Sequence, residues 1–217
     1  MSWEYQATYS DRRSAERTII YNNGAELTLT LRGIVFSGQD FDSLDPISGS
    51  DPELLKQFSR TNGSLCECII ECDIPIPVVT PDDTLPGLLR VHLELGAQAP
   101  SGGLDRESLV LQLSFEKGVF RSEGQSGWFE DELNSLQSAL PKGAYLKACI
   151  ACAYSDYGPG GHGLFGNMFC FRERKQEYRM VKNKGDLFKI MDNPLFVQET
   201  YLCLEFERRH PGTGYRG

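Results

Sequence analysis

The chain has 217 residues, of which 40% are hydrophobic and 24% charged, with 22 glycines, 11 prolines and a net charge of -8. This balance excludes wholesale disorder, no run approaches the roughly 18 apolar residues of a membrane-spanning helix, and the acidity opposes binding to nucleic acid. The charge is uneven: residues 1–140 carry 22 Asp and Glu against 10 Lys and Arg, a net of -12, whereas residues 141–217 carry 8 against 12, a net of +4.

The first stretch, MSWEYQATYSDRRSAERT, has no apolar core of signal-peptide length, which favours a cytoplasmic protein. Next, TIIYNNGAELTLTLRGIVF places two alternating runs around Asn22-Asn23-Gly24, the composition of a hairpin turn. Leu27, Leu29 and Leu31 share one face, and Gly33 shifts the parity to Ile34 and Phe36, as a bulge would. The acidic loop SGQDFDSLDPISGS follows. In DPELLKQF, Asp51 as N-cap and Pro52 at the first helical position start a short helix.

LCECIIECDIPIPVV is a strand by alternation, with Cys66, Cys68, Ile70 and Cys72 on the core face and Pro75 and Pro77 ending the pairing. LLRVHLELG and SLVLQLSF form a long hairpin whose inward residues are Leu89, Val91, Leu93, Leu95 and Leu109, Leu111, Leu113, Phe115. GWFEDELNSLQSALPKG is the clearest helix, with a stripe of Phe129, Leu133, Leu136 and Leu140, acids in its first turn and Pro141 as its stop. AYLKACIACAY and GNMFCF are expected as strands on either side of a glycine-rich loop. KGDLFKIM is then a short helix, VQETYLCLEF a last strand, and residues 208–217 a tail that is mobile or draped over the surface.

The order of elements predicts one α+β domain over residues 1–217, a mainly antiparallel sheet with two to four short helices. The charge change near residue 140 is its only hint of a sub-boundary.

GHGLFG (161–166) matches the dinucleotide fingerprint by letter, but a strand follows it where a helix N-terminus is needed. His92 and Glu94 lie on the polar face of a strand, unlike the helix-borne HxE of zinc deaminases. There is no HExxH, GxSxG or Walker loop, and His162 has no adjacent nucleophile, so catalysis is not indicated. Asp40, Asp42 and Asp45 lack the spacing and glycine of a calcium loop, and are expected as an exposed acidic loop for a basic partner.

Seven cysteines without an export signal argue for reduced thiols or metal ligands over a disulfide framework. Cys66, Cys68 and Cys72 are expected to pack in the core. Cys149, Cys152, Cys170 and Cys203 can supply a tetrahedral thiolate zinc site, the CxxC giving one chelating pair. In a regular strand Cys149 and Cys152 point to opposite faces, so that site requires the chain to bend between them.

The stretch CxxCxYSDYxPxGxGxFGxMxCFR, with WFEDELNSLQSALPKGAYLKACIACAYSDY, VQETYLC and the terminal PGTGYRG, resembles an uncharacterised bacterial family, a domain of unknown function, over residues 128–217. The resemblance implies a stand-alone bacterial cytoplasmic protein and supplies no activity. All four cysteines fall on its pattern, which favours zinc, and it draws notice to Tyr154, Asp156, Tyr157 and Arg172 as a recognition surface, residue types that dominate binding hot spots. The leading expectation is a small binding protein, an immunity protein that neutralises a basic toxin. The alternatives are a zinc-stabilised regulator or metal-dependent enzyme, and a structural module without catalytic activity.

Overall fold

The computed structural model describes residues 2–158 and 163–214. In chain order it forms β1 (Trp3–Asp11), β2 (Ala15–Asn22), β3 (Leu27–Leu31), β4 (Ile34–Gly38), β5 (Asp45–Pro46), α1 (Pro52–Leu55), β6 (Arg60–Thr61) and β7 (Ser64–Leu65). The long strands β8 (Cys68–Val79), β9 (Thr84–Leu95) and β10 (Glu107–Phe115) follow, then β11 (Gly118–Arg121) and α2 (Phe129–Ala139). The C-terminal part holds β12 (Tyr145–Leu146), β13 (Ser155–Tyr157), β14 (Met168–Cys170), α3 (Lys175–Arg179), α4 (Lys184–Lys189) and β15 (Leu195–Val197). The chain therefore has the expected α+β architecture, mainly antiparallel, with four short helices among the described residues.

The large sheet runs β11-β10-β9-β8-β1-β2-β3-β4-β5, with β12 joined to β8, and β13-β14-β15 form a second, small sheet. Period-2 alternation decides which face is covered. In β9 and β10, Leu89, Val91, Leu93, Leu95, Leu109, Leu111 and Leu113 are all buried, each contributing about 1.5–3 kcal/mol of transfer free energy. Their neighbours face outward and pair across strands, as in Arg90–Asp73 at 2.8 Å, His92–Glu71 at 3.0 Å and Arg106–Glu94. α2 covers β10 with Phe129, Leu133 and Leu136. Phe41, in the loop after β4, packs on Phe129 and Phe165 at ring separations of 6.3 and 5.0 Å. The loop at one edge of the sheet thus meets the helix that covers the other, and the inner face is closed.

Four local expectations change. Arg32 and Gly33 are a two-residue hairpin turn between Leu31 and Ile34, not a bulge. Both residues have positive φ, 46° and 82°, the backbone that matches strand twist in such turns. Arg32 holds this conformation with two 2.8 Å bonds to Asp11 and stacks over Tyr9 and Phe58.

Pro75 and Pro77 do not end the pairing, because β8 stays in register with β9 from Cys68 to Val79. β1 leaves the other edge of β8 at Asp73, and the Pro77 carbonyl faces that edge, where Lys147 N–H donates to it at 2.9 Å. The N–H that proline lacks would point the same way, so the β9 ladder loses nothing.

The third change is that ACIACAY contains a 3-10 turn, Cys149–Ala151, where a strand was expected. The fourth is that VQETYLCLEF is not a strand: β15 ends at Val197, and Gln198, Glu199 and Thr200 form a buried polar turn.

The segment expected as a mobile or draped tail is bonded through Thr213. Arg208 bridges to Cys152, Arg209 N–H donates to the Ala151 carbonyl at 2.9 Å, and the Arg209 guanidinium donates to Tyr178 Oη at 3.2 Å and to the carbonyls of Thr213, at 3.1 Å, and Ser155. His162, part of GHGLFG, and Tyr215 to Gly217 of PGTGYRG lie outside the described residues.

Candidate functional site

The chain bends where a thiolate site requires it. Cys152 N–H donates to the Cys149 carbonyl at 3.0 Å, closing a 3-10 turn, the geometry in which positions i and i+3 lie one above the other. The turn is fixed from outside as well. Cys149 N–H donates to the Tyr201 carbonyl at 3.1 Å and Ile150 N–H to the Glu199 carbonyl at 2.9 Å. Ser155 Oγ donates to both the Cys149 and the Cys152 carbonyls.

These same bonds carry the other two cysteines to the turn. Ser155 pairs with Cys170 across β13 and β14, and Cys203 stands two residues beyond Tyr201. All three other cysteines are near enough to Cys149 to bias its proton: burial first, then Cys152, Cys170 and Cys203, hold its thiol well above the ordinary range against the pull of Arg172. Burial likewise raises the Cys170 thiol. Arg172 Nη1 lies 3.8 Å from Cys203 Sγ, and the same guanidinium is near enough to act on Cys149 and Cys170. Among the described residues, no group of three or more His, Cys, Asp or Glu side chains is arranged to hold a metal ion as it stands.

The centre lies on a seam. Cys149 belongs to the main hydrophobic core, while Cys152 belongs to a smaller one made with Tyr154, Phe169, Phe171, Tyr178, Val181 and Leu187. Cys66, Cys68 and Cys72 are buried as expected, and the last two lie in the main core away from this seam.

The other candidate residues do not form open surfaces. Tyr154, Asp156 and Tyr157 are buried. Tyr154 Oη donates to Glu207 at 3.1 Å, under the cations of Lys175 and Arg179. Asp156 accepts from Tyr178 Oη at 2.7 Å, and Arg172 turns to Cys203 instead of to Asp156. These side chains are spent on internal bonds, which removes them as an exposed recognition surface.

Asp40 is buried too, accepting from Phe165 N–H at 2.8 Å and Phe41 N–H at 2.7 Å, and only Asp45 of the acidic trio is exposed, bonded to Ser64. Burial, reinforced by Asp42 and Glu199, raises the Asp40 carboxyl, and burial raises the half-buried Asp42 as well. Glu199 is fully buried, accepting from Tyr157 Oη at 3.0 Å and Gly166 N–H at 2.7 Å, and burial pushes it up to about 7. Gly166 is required here: its φ is 82°, and a Cβ would stand 2.8 Å from the Gln39 carbonyl. Glu199 escaped the sequence reading because VQETYLCLEF reads whole as a strand. Its flanking polar residues, Gln198 and Thr200, were the only signal of a buried turn.

Described residues include no helix long and apolar enough to cross a membrane. A model of a family of unknown function, DUF6304, matches residues 3–155, and the chain belongs to that family. The match takes in the large sheet, α2 and the CxxC turn, and it overlaps the resemblance read from residues 128–217 only in residues 128–155. Comparison with curated proteins and with solved structures gave no match.

Proposed function

We propose that this member of the family is a zinc-stabilised binding protein of regulatory type, in which Cys149, Cys152, Cys170 and Cys203 hold the ion. One observation supports the reading: the 3-10 turn folds the backbone of Cys152 back onto Cys149, and the bonds that shape the turn bring Cys170 and Cys203 to it. Zinc prefers four soft, tetrahedral ligands, and binding displaces the thiol protons, which burial favours at Cys149 and Cys170. Four thiolates around one Zn²⁺ leave a charge of -2, and Arg172 is placed to offset part of it.

A set of four protein ligands also leaves no open position for a substrate, so the ion supports structure and not catalysis. Its work is to join the C-terminal core to the main one. The net charge of -12 over residues 1–140 favours a basic protein as the bound partner.

Elemental analysis of full-length protein, purified without chelators, tests the centre. About one zinc per chain is expected, with loss of the metal in Cys149→Ser and in Cys170→Ser. Less than about 0.2 equivalents in the unaltered chain after incubation with zinc overturns it.

A further inference from the structure

We propose that the cavity between α2 and the segment 208–211 binds a small organic anion, a carboxylate carried on an apolar body. The cavity has a volume of about 540 Å³, within the range of small-molecule sites. Leu133, Leu146 and Ile150 give it an apolar floor, and Asn134, Arg208 and His210 supply polar groups.

Arg208 sets the sign of the ligand. Its guanidinium lies 4.2 Å from the centroid of the Tyr145 ring, a stack that leaves the N–H edges available for a carboxylate. No carboxylate among the described residues is within ion-pair reach of it, whereas Arg32, Arg90, Arg106 and Arg174 each bond to one. The guanidinium therefore offers an unpaired positive charge to the cavity, and His210 lies in the same wall. Its placement is firm, because Arg208 bridges to Cys152 and the neighbouring Arg209 is tied to Tyr178, Ser155 and Thr213.

The remaining polar groups of the lining are Gln137, Glu130, Asn134 and Arg209. Gln137 has both ends of its amide bonded, to the Ala144 carbonyl at 2.8 Å and to Leu146 N–H at 3.1 Å, so it is wall and not ligand. Glu130, the acid of the lining, is engaged in an interaction of its own. Asn134 is exposed at the rim, and its carboxamide makes no hydrogen bond with the described residues, leaving a donor beside the guanidinium. The site does not depend on metal at the thiols, although Ile150 and Ala151 of the cysteine turn contribute to its floor.

Calorimetric titration of the full chain with benzoate, acetate and benzylamine tests the inference. Benzoate is expected to bind with a dissociation constant of about 1 mM or tighter, with acetate and benzylamine each at least about tenfold weaker. Arg208→Gln, which keeps most of the side-chain stem and loses the charge, is expected to weaken benzoate by about tenfold or more. Asn134→Trp, which fills the cavity from the exposed rim without disturbing the core, is expected to abolish binding. Absence of benzoate binding at about 10 mM, equal binding of benzylamine or acetate, or full affinity in Arg208→Gln overturns it.

Discussion

Glu199 shows how far an ordinary side chain is moved by its surroundings. The unfolded chain loses the Glu199 proton near its ordinary value of 4.5, whereas burial holds it in the folded protein up to about 7. Between those values the folded state binds the extra proton, so stability falls as pH rises through this window and levels off above it. One proton over this interval amounts to about 3–4 kcal/mol. Glu199→Gln keeps an acceptor for Gly166 N–H and offers a donor to Tyr157, so it is expected to flatten the urea-unfolding stability between about pH 5 and 7. The unaltered slope in that variant would show that Glu199 is charged in the folded state. Asp40 leaves a smaller slope of the same sign in the variant, since burial and Asp42 still raise its carboxyl once the Glu199 charge is gone. Neither effect was legible in the sequence, because both depend on burial by distant residues. Asp40 is satisfied by Phe165, 125 positions away, and Glu199 by Tyr157, 42 positions away.

At the scale of elements, the legible parts were those whose period matched their burial. The leucines of β9 and β10, the Phe129–Leu140 stripe of α2 and the Asp51–Pro52 start of α1 all stand where the pattern put them. The parts that were misread depend on neighbours. Proline reads as a strand breaker unless the edge it faces has already lost its partner, and β1 ends at the register of Asp73. A parity shift reads equally as a bulge or a tight turn, and the Arg32–Asp11 pair is the long-range contact that accompanies the turn. Asp11 records this contact. Burial pushes its carboxyl up, but Arg32 and the amides of Arg13 and Ser14 outweigh that and hold it well below the usual range. Gly33→Ala places a Cβ at φ 82° and is expected to cost about 1–2 kcal/mol in a urea-unfolding midpoint. An unchanged midpoint would mean that the turn is not part of the cooperative structure.

Across the whole molecule, two cores meet at one thiol cluster. The larger core is closed by Phe41, α2 and Phe165, and the smaller is built around Tyr178. Near the cysteine turn, the segment after β15 is also tied to the large sheet: Asn22 Nδ2 donates to Gln198 Oε1 at 2.7 Å, and Trp3 meets Tyr201 edge-on at 5.5 Å. The sequence posed the right question about Cys149 and Cys152, whether the chain bends between them. It does, because Ser155, Glu199 and Tyr201 all bond to the turn, and no local propensity encodes those partners.

The central claim, that these four sulfurs close around a metal, is tested most directly by titrating metal-free protein with cobalt(II) while recording the visible spectrum. The expected result is the intense absorption of tetrahedral thiolate-bound cobalt, saturating at about one equivalent and displaced by zinc, with the signal weakened in Cys203→Ser. Only the faint spectrum of hydrated, octahedral cobalt through the whole titration would contradict it.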